Sequence, residues 1–372
     1  MRVSIDRAAL LKAMSRAQGV VERRNTIPIL ANVLLEGGDG QLSLRATDLD
    51  IEVVEALPAS IETEGGTTVS AQMLHDIVRK LPEGAEVTLS LDPEAQRLDI
   101  RAGRSRFHLP TLPKSDFPVM ASSAYDVEYS APAPVLRRLF DKSKFAVSTE
   151  ETRYYLNGVY LHVAERDGEK VLRAVATDGH RLACVDAELP EGAEGAPGVI
   201  VPRKTVGELR KMLDDDEGRI GVAVSETKIR FSANGLVLTS KVIDGTFPDY
   251  TRVIPQANDK RMEVEAEAFA KAVDRVATVS QERSRTVKMA LEDDRLTLSV
   301  TAPGAGSAAE ELDVAYPGDP LEIGFNARYL SEIAEQIDRE NAVFLFADPG
   351  APTLVREGDD RSAVYVVMPM RV

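Results

Sequence analysis

The chain has 372 residues, 44% of them hydrophobic and 28% charged, with no Trp, one Cys and a formal net charge of −15. At about 100 to 200 residues per domain this makes two or three globular domains and excludes a fully disordered chain. Charges at Arg2, Asp6, Arg7, Lys12 and Arg16 exclude a signal-peptide core, no uncharged run reaches the roughly 18 residues of a spanning helix, and Cys184 alone supports neither a disulfide nor a cysteine zinc site.

A soluble cytoplasmic protein with no membrane contact, metal or cofactor is therefore expected. In chain order, Asp6 caps a first helix carrying Leu10, Leu11, Met14 and Ala17, and strands follow over LLEG (34–37) and QLSLRATDLDIEVVEA (41–56). The stretch 69–92 then places Leu74, Ile77, Val78 and Leu81 at i, i+3, i+4, i+7, before the alternation Val87, Leu89, Leu91. The same order returns. Pro134 suits the first turn of a helix with Leu136, Leu139 and Phe140, strands cover VYLHV (159–163) and LRAVATDGHRLACV (172–185), and 201–226 joins a helix with Val206, Leu209 and Leu213 to a strand with Ile220, Val222 and Val224. A third round has Phe269, Val273, Val276 and Ala277, then VKMALED (287–293) and RLTLSVT (295–301). It ends with 325–348, where Leu330, Ile333, Ala334 and Ile337 precede Val343 and Leu345.

The later helix of each round begins near 71, 203 and 327, and ATDLD (46–50) is echoed by ATDGH (176–180). These spacings predict an α+β chain of three tandem repeats, 1–124, 125–257 and 258–372, each with two helices packed on antiparallel sheets. Counted over 1–24, 71–83, 135–153, 201–213, 262–285 and 325–340, the helical segments carry a net +6, which leaves −21 on the remaining 263 residues. A basic helical layer on an acidic body suits a guide for a polyanion. If that layer lines a channel, six helices about 9.5 Å apart close a circle only about 18 Å across between axes, too small for a duplex about 20 Å wide, whereas twelve leave room. A head-to-tail dimer is the expected assembly.

Eight segments carry a resemblance: IPILANVLLE (27–36), RSRFHLPTLPKSDFP (104–118), TRYYLNGVYLH (152–162), ATDGHRLA (176–183), IVPRKTVGEL (200–209), TSKVIDGTFPDYTRVIP (239–255), IGFNARYL (323–330) and YVVMPMRV (365–372). By these the sequence resembles, end to end, the bacterial sliding clamps, the β subunits of DNA polymerase III. The resemblance implies three DNA-clamp domains and a ring-shaped homodimer that encircles double-stranded DNA without sequence preference and slides with the polymerase. Implied partners are the polymerase III catalytic subunit, a clamp loader that opens the ring, and other proteins of replication and repair bearing a clamp-binding motif. No catalytic residue is implied.

The same resemblance implies a partner-peptide pocket of Leu156, Thr177, Gly179, His180, Arg181, Leu182, Pro248, Arg252, Val253, Asn326, Tyr329, Val366, Met368, Pro369, Met370 and Arg371. An apolar groove with a polar rim suits an extended peptide with Leu and Phe anchors, and Met368 and Met370 add adaptability. Candidate DNA contacts are Arg24, Arg137, Arg153, Tyr154, Arg203 and Lys204, with Lys114 a weaker one. By resemblance, Phe107 and Leu109 of one copy face Thr278 and Val279 of another. Two other readings are weighed: a peptide-binding scaffold on DNA independent of replication, and a hydrolase using Asp178 and His180. Four His, one Cys and no Gly-rich phosphate loop, HExxH or GxSxG speak against the second.

Overall fold

The computed structural model describes residues 1–22, 27–121, 124–214, 217–280 and 286–371. Six α-helices lie among them: α1 (Arg7–Val20), α2 (Ala71–Lys80), α3 (Ala133–Lys144), α4 (Arg203–Asp214), α5 (Ala266–Ala277) and α6 (Ala327–Ala334). The Asp6 carboxylate accepts the Ala9 N–H at 2.9 Å and starts α1, whose Leu10, Met14 and Ala17 are buried while Leu11 is half-buried. Leu74 and Val78 of α2, Leu136, Leu139 and Phe140 of α3, and Phe269, Val273 and Val276 of α5 fill the core as the periodicity requires.

The helices are shorter than the segments used to count charge. Residues 145–150 are not helical, and Glu151–Leu156 form a 3-10 turn broken at Arg153. Ile337 lies beyond α6 because Gln336 and Ile337 donate to Ile333 and Ala334, i to i−3 bonds that tighten and end the last turn. In Asn341–Phe346 the alternation through Val343 and Leu345 is not the core face alone. Ala342, Phe344 and Phe346 are buried, Phe344 lies 5.0 Å from Phe269, Val343 is buried as well and Leu345 is half-buried.

The chain divides into two compact units, residues 1–137 with 190–242 and residues 138–189 with 243–372. The first unit holds one thirteen-stranded antiparallel sheet. Its order is Val127–Pro132, Arg219–Val224, Lys228–Ala233, Leu236–Lys241, Ile51–Pro58, Gln41–Thr47, Asn32–Gly38, Gly65–Ser70, Ser105–Leu112, Arg97–Ala102, Glu86–Asp92, Arg2–Asp6 and Ser60–Thr63. On it α1 packs beside α2, with Gln18 donating to Gln72 at 2.5 Å and the Arg7 guanidinium donating to the carbonyls of Val78 and Arg79. Glu208 of α4 sits against Gly19 of α1, where a β-carbon would collide with its carboxylate.

Strands of the second unit run Gly158–Arg166, Glu169–Thr177, Arg181–Glu188, Ala363–Val367, Thr353–Glu357, Asn341–Phe346 and Lys260–Glu265. A four-stranded sheet of the same unit runs Gly306–Asp313, Arg295–Ala302, Thr286–Glu292 and Leu321–Asn326. In each unit a strand of one sequence repeat pairs with a strand of the next: Ile51 with Ser240, and Arg181 with Val367.

Candidate functional site

The repeated TD motif folds into the same turn twice. Thr47 Oγ1 donates to the Ile51 carbonyl at 2.9 Å and accepts from Leu49 N–H at 3.0 Å, while the Asp48 carboxylate accepts from Asp50 and Ile51. Thr177 Oγ1 likewise donates to the Arg181 carbonyl at 2.7 Å and accepts from Gly179 N–H at 3.1 Å, and Asp178 accepts from His180 and Arg181. The third turn residue has φ +81° at Leu49 and +87° at Gly179, a left-handed conformation that suits Gly. Asp178 is thus engaged by backbone N–H groups and by Arg181 Nε at 3.1 Å, which gives it a turn-forming role.

Arg181 is the hub of the second turn. Buried, it bonds Asp178, the carboxylate of Glu332 on α6 and, at 2.6 Å, the Phe145 carbonyl, and its guanidinium lies 5.1 Å from the Phe145 ring centre and 4.5 Å from that of Tyr329. The charge is met by two carboxylates and the guanidinium lies over two aromatic rings. His180 stacks over Tyr329 with ring centres 6.3 Å apart and stays exposed. Burial pushes the Tyr329 hydroxyl above its ordinary pKa. Asn326 caps α6 by accepting the Arg328 N–H at 3.0 Å, which sets Tyr329 one turn into the helix.

The C-terminal strand reaches this turn directly. Leu182 pairs with Val366, Met368 N–H donates to the His180 carbonyl at 2.9 Å, and Met370 N–H donates to the Gly324 carbonyl at 2.8 Å. Leu182, Val366 and Leu156 are buried as the floor, whereas Met368 is 36% exposed and Met370 39%. Pro369 is half-buried and Arg371 exposed. On a neighbouring segment Pro248, Arg252 and Val253 are exposed, anchored by buried Tyr250, whose hydroxyl bonds His162 Nε2 at 3.0 Å and accepts from Arg173 at 3.3 Å. The large apolar side chains exposed in the described part of this unit are Tyr154, Val253, Met368 and Met370. Exposed Met368 and Met370, tied by their backbone to His180 and Gly324, are the kind of apolar surface that can take an extended peptide with hydrophobic anchors.

The candidate DNA contacts fall in both units. Arg24 lies outside the described residues. Arg137 is half-buried and donates to the Leu213 carbonyl and to Glu217, tying α3 to the end of α4. Lys204 donates to the Val20 carbonyl at 2.7 Å and to Asp48 at 2.5 Å, so its ammonium is part of the first TD turn. Arg203 is exposed in the first turn of α4, and Tyr154 is 54% exposed, its ring edge-on to Tyr155. Arg153 makes a two-pronged bond to Glu150 at 2.8 and 2.6 Å, which holds Glu150 below the usual carboxylate range. Its guanidinium rests on the second TD turn: a β-carbon on Gly179 would lie 2.5 Å from Arg153 Nη1. Lys114 reaches Glu36 at 3.2 Å.

Sequence reasoning missed Glu332 and Phe145, the supports of Arg181, and no local signal marks them at separations of 151 and 36 residues. Of the candidate dimer residues, Leu109 is buried, Phe107 and Val279 half-buried and Thr278 exposed. Among the described residues no helix is long and apolar enough to cross a membrane.

Residues 1–121, 131–249 and 251–371 match the N-terminal, central and C-terminal domains of the DNA polymerase III beta subunit. A beta sliding clamp of Caulobacter vibrioides is 54% identical over 372 residues, covering 100% of both chains. The crystal structure of the Caulobacter crescentus beta sliding clamp superposes with a TM-score of 0.97 at 54% identity, covering 100% of this chain and 99% of that one. A sliding clamp (DNA polymerase III subunit beta) from Bartonella birtlesii, solved bound to griselimycin, gives 0.96 at 49% identity with full coverage of both.

Proposed function

The chain belongs to the family of DNA polymerase III beta subunits, and from that premise we propose that two copies close a ring around duplex DNA, slide on it and tether the polymerase. The end-to-end match carries this reading: three successive clamp domains cover the chain, and the TD turns at 47–51 and 177–181 repeat bond for bond. The chain is the non-catalytic, positioning part of the replicative machine, and the polymerase supplies the chemistry.

The cleft around Arg181 and Tyr329 takes the clamp-binding peptide of the polymerase, of the clamp loader and of repair proteins. Its anchors cover Val253, Met368 and Met370. Phosphate contacts are few and exchangeable, because tight binding would impede sliding. Arg203 and Tyr154 suit that role by exposure.

Two open strand edges support the homodimer. Among the described residues, Ser105–Leu112 is paired along one edge with Arg97–Ala102 but on its other edge only at Thr111 and Leu112, and Gly306–Asp313 is paired only with Arg295–Ala302. The first edge carries Arg106, the second Glu311 and Asp313, whereas His108 is held by Asp99 and Glu310 by Arg275 within the chain. Joining them between two copies satisfies both edges and pairs opposite charges, with Phe107 and Leu109 beside Thr278 and Val279. Retention on a nicked circular plasmid, lost when the circle is linearised, tests the reading. Binding that survives linearisation means ordinary affinity and refutes encirclement.

A further inference from the structure

Arg181 is only 6% exposed, and a guanidinium that far from water is retained only where its charge and its N–H groups are met. Two carboxylates meet it. Asp178 comes from the turn itself, three residues away, and is present whatever packs above the turn. Glu332 comes from α6, 151 residues away, and ties that helix to the turn. Both of its oxygens are engaged: Oε2 accepts from Arg181 Nη1, and Oε1 accepts from Arg328 Nε at 2.8 Å. Glu332 thus stands between a buried arginine and an exposed one.

Helical spacing carries the effect towards the peptide residues. Tyr329 and Glu332 are three positions apart on α6 and so are neighbours on its surface. Arg181 meets both, the acid through a charged bond and the ring with its guanidinium 4.5 Å from the ring centre. Asp178 and the Phe145 carbonyl, both of the second repeat, also hold Arg181, so the guanidinium stays with that repeat and α6 is what shifts when Glu332 lets go. Exposed His180 stacks on the Tyr329 ring with centres 6.3 Å apart, and its carbonyl accepts the Met368 N–H at 2.9 Å. One run of contacts therefore joins Glu332, Arg181, Tyr329 and His180 to the C-terminal strand.

We infer that Glu332 is a positioning residue of the peptide cleft, acting through Arg181 to hold Tyr329 and His180 in the arrangement that a bound peptide meets. This rests on the clamp-peptide reading and adds what sets the geometry of that site. Without the Glu332 charge the buried guanidinium is left with Asp178 alone, and the Tyr329 ring and the His180 stacked on it lose their fixed place. A peptide must then order them as it binds. Ordering one side chain on binding weakens affinity about 2- to 12-fold, and with both rings released the expected loss is about tenfold.

Glu332→Gln keeps the shape of the side chain and removes its charge. Fluorescence polarisation with a labelled extended peptide bearing Leu and Phe anchors should show an affinity about tenfold below that of the unaltered protein. Arg328→Gln removes only the exposed partner and should stay within about twofold, because an exposed ion pair contributes little. The readout that a general loss of stability would not single out is the histidine ring-proton NMR spectrum, with the His180 signals assigned by His180→Gln. In Glu332→Gln the His180 signals should move as the stack loosens, while those of His162 in the same unit stay in place. Glu332→Asp keeps the charge but withdraws it by one methylene, and it gives the same two readouts should the Gln variant not fold. Affinity within about twofold of the unaltered protein, an Arg328→Gln loss as large as that of Glu332→Gln, unmoved His180 signals, or His162 signals that move as far, each overturn the inference. The unaltered protein is titrated first. No binding of this peptide refutes the cleft reading itself, whereas normal binding with any of those four results refutes only the role of Glu332.

Discussion

Replacing Met368 and Met370 together with Ala should weaken a clamp-binding peptide about 5- to 30-fold and leave the assembly intact. Full burial of a Met side chain contributes about 1.5 to 3 kcal/mol. The two side chains are 36% and 39% exposed in the free chain, so a peptide covering them recovers only about a third of that value at each. The sum is about 1 to 2 kcal/mol, at about 1.4 kcal/mol per tenfold change in affinity. Both backbone bonds, Met368 N–H to His180 O and Met370 N–H to Gly324 O, survive the substitution, so the cleft keeps its shape. Fluorescence polarisation with a labelled peptide bearing Leu and Phe anchors measures the loss, and sedimentation confirms the dimer. Affinity within twofold of the unaltered protein would refute the assignment of these methionines to the peptide surface. Removing residues 368–372 deletes the two backbone bonds as well and should exceed the effect of the double substitution.

Gly179→Ala places a β-carbon 2.5 Å from Arg153 Nη1 at φ +87°, and at about 1 to 2 kcal/mol for a left-handed non-glycine residue it should lower both the melting temperature and peptide affinity; an unchanged protein would mean that the turn relaxes freely. Burial holds the His162 pKa below its ordinary 6.5; its Nδ1–H donates to the Val163 carbonyl and Nε2 faces the Tyr250 hydroxyl, so the neutral ring is the folded form. Because the folded pKa is the lower one, the unfolded chain takes up the proton first, and stability should fall as pH drops from about 6.5 through the folded value. Thermal melts of the parent and of His162→Gln between pH 7.5 and pH 5, both within about that range, should show a smaller acid loss in the variant; parallel curves would remove His162 from the account. On the proposed joining of the two open edges, Phe107→Glu sets an acid against the edge of the second copy that carries Glu311 and Asp313, and it should convert dimer to monomer in native mass spectra; a persisting dimer would move the interface elsewhere.

Local physics is what could be read along the chain. Hydrophobic spacing at i, i+3, i+4 is a property of a few neighbouring residues, so the buried faces of α1, α2, α3 and α5 were legible before any tertiary contact was known. The Asp6 cap and the two TD turns are closed by bonds spanning two to four residues, and the repeat was visible for the same reason. Long-range pairing left no such mark. That Val367 lies opposite Arg181 and that Glu332 neutralises the same Arg are decisions of the packed sheet, between residues 186 and 151 positions apart. Where an element is covered on both faces the alternation loses its meaning, as in Asn341–Phe346. Charge is legible in the same limited way: the signs of Arg137 and Lys204 are local, but their partners Leu213 and Asp48 stand 76 and 156 residues away and are supplied by the fold, whereas Glu150 lies only three residues from Arg153. The number and kind of charges belong to the sequence, whereas which of them face solvent unneutralised is set by which carboxylates and carbonyls the tertiary structure brings within 3 Å.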